Sequence, residues 1–433
     1  MSTTRSTRAA RRVTPFIALA GAGALALTSC AGGGGSDDSS FSYLGQTQNT
    51  AIAGNLEDLG AGACATAEEA SPLSTDSVDG TQWDQQMQLL AGQSGLSDIS
   101  MAAGTPALMN EFIDAGQVVD LSAALEDLGV ADRVLPAADS LIKSLYGRDA
   151  LYALPTELNI EGFWYNEQLL ADNGVEPPAT WDELVDAAAT LDAAGVQPFV
   201  ASGQDGWPVT RLIGNYIARD LGADALRAVA DGDASLTDPE YVAAAQAVSD
   251  LGSAGYFGPA AGSIDGPTAE NQFLTGGGAF YYMGSWALAA FNDEELNQIG
   301  ADNIGYLPFP EVEGGAGSVM DVPANVGIPV MLSQAGYDES SEAWLQCIAE
   351  NYGDVALEER GQVTGFVTES DVEVPELTAT VQQTIAEAGT GLLWFEAFFT
   401  PEATTVSQTN GGSLATGQIS GQEFMELVEA ANG

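Results

Sequence analysis

Three tryptophans stand where an apolar run gives way to a loop: Trp207 behind Gly203-Gln204-Asp205-Gly206, Trp286 behind Gly284-Ser285, and Trp394 within Leu392-Leu393-Trp394-Phe395-Glu396. An indole at such a junction can present a flat apolar face. Gln46, Gln48, Thr105, Glu157, Asn159, Asp205 and Asn271 supply amides, a hydroxyl and carboxylates that together donate and accept many hydrogen bonds. Flat faces beside such a rim suit a ligand with apolar C–H surfaces edged by hydroxyls, as a sugar has. Bond-breaking chemistry has less to work with. The chain has no histidine, which excludes His-based nucleophilic triads and the usual His-based metal sites. No D-x-[DN]-x-[DN]-G loop marks a Ca²⁺ site, so neither metal nor cofactor is expected. Among 61 acidic residues some pair will meet the two-carboxylate requirement of a glycosidase by accident, and a secreted glycoside hydrolase is carried as an alternative.

These groups must be positioned by strands that end together. Phe41–Leu44 reads as a first strand, followed by the polar loop Gly45–Asn49. Trp83, Met87, Leu90 and Ala91 recur at helical spacing, and Ser97–Ala103 reads as a short buried strand. Strand, helix and strand in alternation predict an α/β fold with mostly parallel sheets, whose ligands gather at strand carboxyl ends. That places Gln46, Gln48 and the Gly104-Thr105 turn on a cleft. Leu151–Leu170, LYALPTELNIEGFWYNEQLL, is the pivotal stretch: an extended run ends at Leu154-Pro155, a polar middle follows, and Phe163-Trp164-Tyr165 restarts as a strand. It reads as a crossing between two bodies with the polar middle facing the cleft.

Beyond the crossing, Thr180 and Glu183 form a capping box ahead of a helix whose core face carries Trp181, Leu184, Val185, Ala188 and Leu191. Val196–Ala201 and Ala279–Met283 read as strands and Tyr241–Leu251 as a helix. Ser420 and Glu423 cap a last helix bearing Phe424, Leu427 and Val428. Arg211 and Arg219, eight residues apart, are expected on a solvated helix face.

Charge and the N-terminus bound the rest. The 433 residues carry 11 Lys and Arg against 61 Asp and Glu. Four of the basic residues precede Cys30 and no acid does, so the chain from Cys30 onward has seven against 61, a charge of −54. Such a chain will not bind nucleic acid by charge. Arg5–Arg12 form a basic n-region and Pro15–Leu27 an apolar h-region, the pattern of a secretory signal over 1–29. Its end, Leu27-Thr28-Ser29-Cys30, resembles the lipobox of bacterial lipoproteins, which implies an acylated Cys30 holding the chain outside the cell membrane. Residues 30–40 form a flexible tether. No apolar run after residue 30 is long enough to cross a bilayer.

The runs GFWYNEQLL with PPATWDEL, GQDGWPVTRLIGNY at 203–216, NQFLTGGGAFYYMGSW at 271–286 and LLWFEAFF at 392–399 resemble the extracellular solute-binding proteins of ABC importers, specifically the sugar-binding, maltose-binding-protein-like group. Together they cover most of the chain from about Trp83. The resemblance implies a two-lobed periplasmic-binding-protein fold with three hinge crossings, lobe 1 over 41–158 and 322–366, lobe 2 over 159–321 and 367–433. It implies a monomer that closes on a neutral carbohydrate, delivers it to permease subunits and does no chemistry itself. The Trp of the G-x-W turn, Trp286, is then a sugar-stacking platform. Both remaining cysteines, Cys64 and Cys347, would lie in the first lobe, either bridged or as two buried free thiols. A solute sensor signalling to a membrane receptor is the other alternative.

Overall fold

A computed structural model describes residues 40–47 and 49–433. The expected signal segment, Cys30, nearly all of the tether, and Gln48 lie outside the described residues. The first sheet has the order β2-β1-β3-β9, from Phe41–Gln46 (β1), Leu73–Val78 (β2), Ile99–Met101 (β3) and Val330–Leu332 (β9). β1 runs parallel to β2 from Phe41↔Leu73 to Gln46↔Val78 and parallel to β3, while β9 is antiparallel to β3. The apolar residues of β1 draw helices onto the sheet. Phe41 stacks on Trp344 with ring centroids 5.1 Å apart, and the Trp344 indole donates to the Ser71 carbonyl at 3.0 Å. Trp344 sits in the helix Glu339–Arg360, started by Asp338 accepting from the amides of Ser340 and Ser341. The same helix carries Cys347, which is disulfide-bonded to Cys64 with Cα atoms 5.7 Å apart.

The second sheet has the order β10-β8-β4-β6-β5, from Asn159–Asn166 (β4), Phe199–Val200 (β5), Phe280–Gly284 (β6), Asp321–Asn325 (β8) and Thr390–Leu392 (β10); Ile304–Leu307 (β7) pairs with β4. Here the expectation of a mostly parallel sheet is corrected. β4 is antiparallel to β6, β7 and β8, and only β5 with β6 and β10 with β8 run parallel. The reason is topological: β4 carries the chain away from the first sheet and β8 carries it back, so the two run in opposite senses. Their register, Asn159↔Asn325 on one side of β4 and Glu161↔Gly284 on the other, sets the ends of β4, β6 and β8 side by side.

The crossing also begins later than its composition suggests. Residues 151–158 form no strand, apart from a bridge between Leu154 and Val330, and β4 starts at Asn159 within the polar middle. Both faces of β4 are covered, as a strand between helical layers requires. Phe163 packs against Phe199, Phe280, Tyr282 and Phe309, and Trp164 on the opposite face against Phe291 and Tyr306. β5 and β3 are shorter than expected, but both capping boxes form as written, at Thr180/Glu183 and Ser420/Glu423. Trp181 is 5% exposed in the core, stacked on Phe309.

Candidate ligand-binding site

The site is assembled where strands of the second sheet run out. After β5 the chain reaches Gly206, at φ 73°, and enters the helix Trp207–Leu221 with Pro208 in its first turn. A Cβ on Gly206 would lie 1.7 Å from the Gln408 carbonyl oxygen, so only glycine lets this turn approach the helix Pro401–Ala415. β6 ends in Gly284-Ser285-Trp286, and Trp394 follows β10. The Trp207 and Trp286 rings lie 5.8 Å apart at 54°. The Arg211 guanidinium lies 5.4 Å from the Trp207 ring and 5.5 Å from that of Trp394. The three indoles thus form one group; Trp286 is 42% exposed and the other two are half-buried.

Arg211 and Arg219 are not on a solvated face, which corrects the expectation drawn from their spacing. Arg211 is ion-paired with Glu161 at 3.0 Å and Glu396 at 3.3 Å, two carboxylates almost fully withdrawn from solvent. Glu161 also accepts from the Tyr282 hydroxyl at 3.1 Å, and Glu396 from the hydroxyls of Thr210 at 2.5 Å and Ser407 at 2.8 Å. Arg219 is 1% exposed and donates to the carbonyls of Phe309 at 3.0 Å and Asp321 at 2.9 Å; desolvation lowers its pKa. Eight residues is a little over two turns, so both arginines do share a helix face. Protein covers that face.

A second run of polar groups leads from the indoles to the first sheet. Ser285, next to Trp286, donates to the Asn159 side-chain oxygen at 3.3 Å and accepts from the Ile160 amide at 3.2 Å; Asn159 reaches Asn325 at 3.5 Å. Two residues before Asn159, Glu157 accepts hydrogen bonds from the side chains of Asn49 and Gln362, yet desolvation outweighs them and raises its carboxyl pKa. The Asn49 amide in turn donates to the Gln46 carbonyl at the end of β1. Gln46 and Asn49 line a cavity of about 320 Å³ with Tyr43, Thr75 and Asp76.

Trp207, Trp286 and Trp394 are therefore brought together, with Asn159 joined to the neighbour of Trp286; Glu157 follows only along the chain, two residues before Asn159, and its partner Asn49 leads to Gln46 at the first-sheet end. Asp205 is half-buried and accepts from the Gly266 amide at 2.7 Å, which ties the loop before Trp207. Thr105 and Asn271 are both exposed, and among the described residues neither side chain hydrogen-bonds to this group. Sequence reasoning missed Glu161, Glu396, Asn49, Gln362, Ser285 and Asn325. The i,i+4 spacing of Trp207 and Arg211 was a usable signal; the carboxylates, 50 and 185 residues away from Arg211, gave none. At the Gly104-Thr105 turn, Asp84 brings a carboxylate from the preceding helix, accepting from the Gly104 amide at 2.6 Å.

Two sheets, with β4 and β8 of the second carrying the chain across from the first and back, define a two-lobed solute-binding fold. Residues 73–351 match the family described as bacterial extracellular solute-binding protein, and the chain belongs to that family. An uncharacterized ABC transporter extracellular-binding protein of Pyrococcus horikoshii is 26% identical over 155 residues, and the multiple sugar-binding protein of Streptococcus mutans is 33% identical over 57. These matches take in 35% and 13% of this chain, and the chain spans only 34% and 14% of those relatives' lengths. Among solved structures, a probable secreted solute-binding lipoprotein from Streptomyces coelicolor superimposes with a TM-score of 0.75 at 21% identity, over 92% of this chain and 99% of that one. A chitin oligosaccharide binding protein does so with a TM-score of 0.69 at 22% identity, over 91% and 98%. At these identities the structures speak for the fold.

Proposed function

We propose that the protein is the extracytoplasmic solute-binding component of an ABC importer, and that its ligand is a neutral sugar or oligosaccharide held against Trp207, Trp286 and Trp394. The observation that carries this reading is the single group formed by those indoles, continued by Ser285, Asn159 and Glu157 toward the first sheet. Apolar faces beside amide and carboxylate groups match the two kinds of surface on a sugar ring. Neutrality is favoured by the basic residues, because an anionic ligand calls for free arginines. All seven beyond the N-terminal segment are already engaged: Arg133 with Glu369, Lys143 with Asp139, Arg148 with Asp114, Arg211 with two glutamates, Arg219 and Arg227 with backbone carbonyls, and Arg360 with Asp58. The names of two similar proteins, a multiple sugar-binding protein and a chitin oligosaccharide binding protein, point the same way.

The lobes are proposed to be residues 41–158 with 322–366 and residues 159–321 with 367–433, closing by a hinge at the crossings. Ligand contacts made by both lobes shift the population to the closed form. The protein acts as a monomer that catalyses no reaction, anchored through acylated Cys30 and docking on the permease. Thermal-shift screening of the chain from residue 30 onward against mono- and oligosaccharides tests the ligand class: stabilisation by at least one neutral saccharide is expected. Stabilisation by amino acids or peptides alone would overturn the sugar reading and spare the importer. Steady hydrolysis of a chromogenic glycoside would favour the enzyme.

A further inference from the structure

We propose that Arg211 is a positioning residue, a clamp that fixes the mutual angle of the three indoles without itself touching the ligand. The inference rests on the proposed binding site and adds to it the part that sets its geometry. Three segments remote in sequence each carry one tryptophan: the turn after β6 carries Trp286, the helix Trp207–Leu221 begins with Trp207, and the segment after β10 carries Trp394. Two of these segments meet the Arg211 guanidinium directly, and the third is tied to it through its neighbouring strand β4. Glu161 on β4 faces Gly284, two residues before Trp286, and pairs with Arg211 at 3.0 Å. Glu396, two residues past Trp394, pairs with it at 3.3 Å and is held on its other oxygen by Thr210, next to Arg211 on the helix. Between these acids the guanidinium lies against the rings of both Trp207 and Trp394. A planar fork can meet two carboxylates and two ring faces at once, and an ammonium cannot.

A buried charge restrained on so many sides defines one arrangement rather than several, because each partner left alone would be a desolvated, unpaired ion. The stacking angle of the indoles is thereby fixed before any ligand arrives, which lowers the ordering cost of binding. Trp286 touches Trp207 but, among the described contacts, not Arg211 itself, so a clamp must act on Trp286 at second hand.

Fluorine NMR of ligand-free protein labelled with 5-fluorotryptophan reads this directly, with lines assigned by Trp→Phe variants. In Arg211→Lys the Trp286 line is expected to shift and broaden, while the lines of buried Trp83 and Trp344 in the first sheet's core stay in place. Affinity for whichever of maltotriose, xylotriose or chitotriose the wild type binds is expected to fall at least tenfold. Glu396→Gln, which keeps shape and removes one ion pair, is expected to give a smaller change in the same direction, and it decides the matter if the lysine variant does not fold. An unmoved Trp286 line in the folded variants overturns the clamp, since a merely stabilising ion pair would leave it in place. The NMR readout needs no ligand, so it stands or falls separately from the sugar reading.

Discussion

Trp286 keeps 42% of its surface open while its ring leans on Trp207, an arrangement that offers a face without contributing much to the core. Trp286→Ala should accordingly leave the thermal midpoint nearly unchanged and weaken saccharide binding by about 1.5–3 kcal/mol, roughly ten- to a hundredfold in Kd. Equal loss of stability and affinity in calorimetry would instead make it a core residue. Glu157 behaves differently, because burial raises its pKa above the ordinary carboxylate value despite two hydrogen bonds. A carboxyl whose folded pKa is raised holds its proton more tightly folded than unfolded, so stability falls as pH rises from the ordinary value through the raised one. Glu157→Gln should therefore raise the thermal midpoint relative to wild type at pH 7 and lose that advantage below about pH 4, near the unperturbed carboxylate pKa. A constant difference across that range would mean that ionisation of Glu157 has no part in it.

At the scale of elements, the helix Trp207–Leu221 is the part on which the others depend. Its first residue faces the indole group, Arg211 one turn on holds the buried acids, and Arg219 two turns further receives the chain where it enters β8. Its starting point is set by Gly206, whose close approach to Gln408 leaves no room for a side chain and whose positive φ disfavours one. Gly206→Ala should lower the thermal midpoint by several degrees and abolish saccharide binding, the helix being pushed off its seat. Retained affinity in a folded variant would show that the helix start can shift without moving Trp207. The capping boxes give a milder case: Thr180→Ala should cost about 1 kcal/mol in denaturant unfolding with binding intact. That box caps a helix that carries none of the three clustered indoles.

For the whole molecule, the disulfide and the charge set stability from opposite sides. Cys64 and Cys347 are 283 residues apart in sequence, and closing so long a loop restrains the unfolded chain. Cys347→Ser should destabilise by about 2–5 kcal/mol in denaturant unfolding, with saccharide affinity kept because the indoles lie on the other sheet. The net charge of −50 works against compactness, and salt that screens it should raise the thermal midpoint.

Much of this was legible from local spacing. Both capping boxes, the core face of Trp181 and the placing of three tryptophans where apolar runs end follow from period and turn chemistry acting over a few residues. The chain could not disclose locally what covers a face. Arg211 and Arg219 occupy the helix face their spacing assigns, yet that face meets Glu161, Glu396 and the 309–321 segment instead of water. In the same way the sense of β4, the Asp84 carboxylate at Gly104 and the partners of Glu157 were decided by segments that meet only in the folded chain. Periodicity fixes which side chains point together, because it depends on a residue's near neighbours. Burial and pairing depend on chain brought from far along the sequence, and only the tertiary structure decides them.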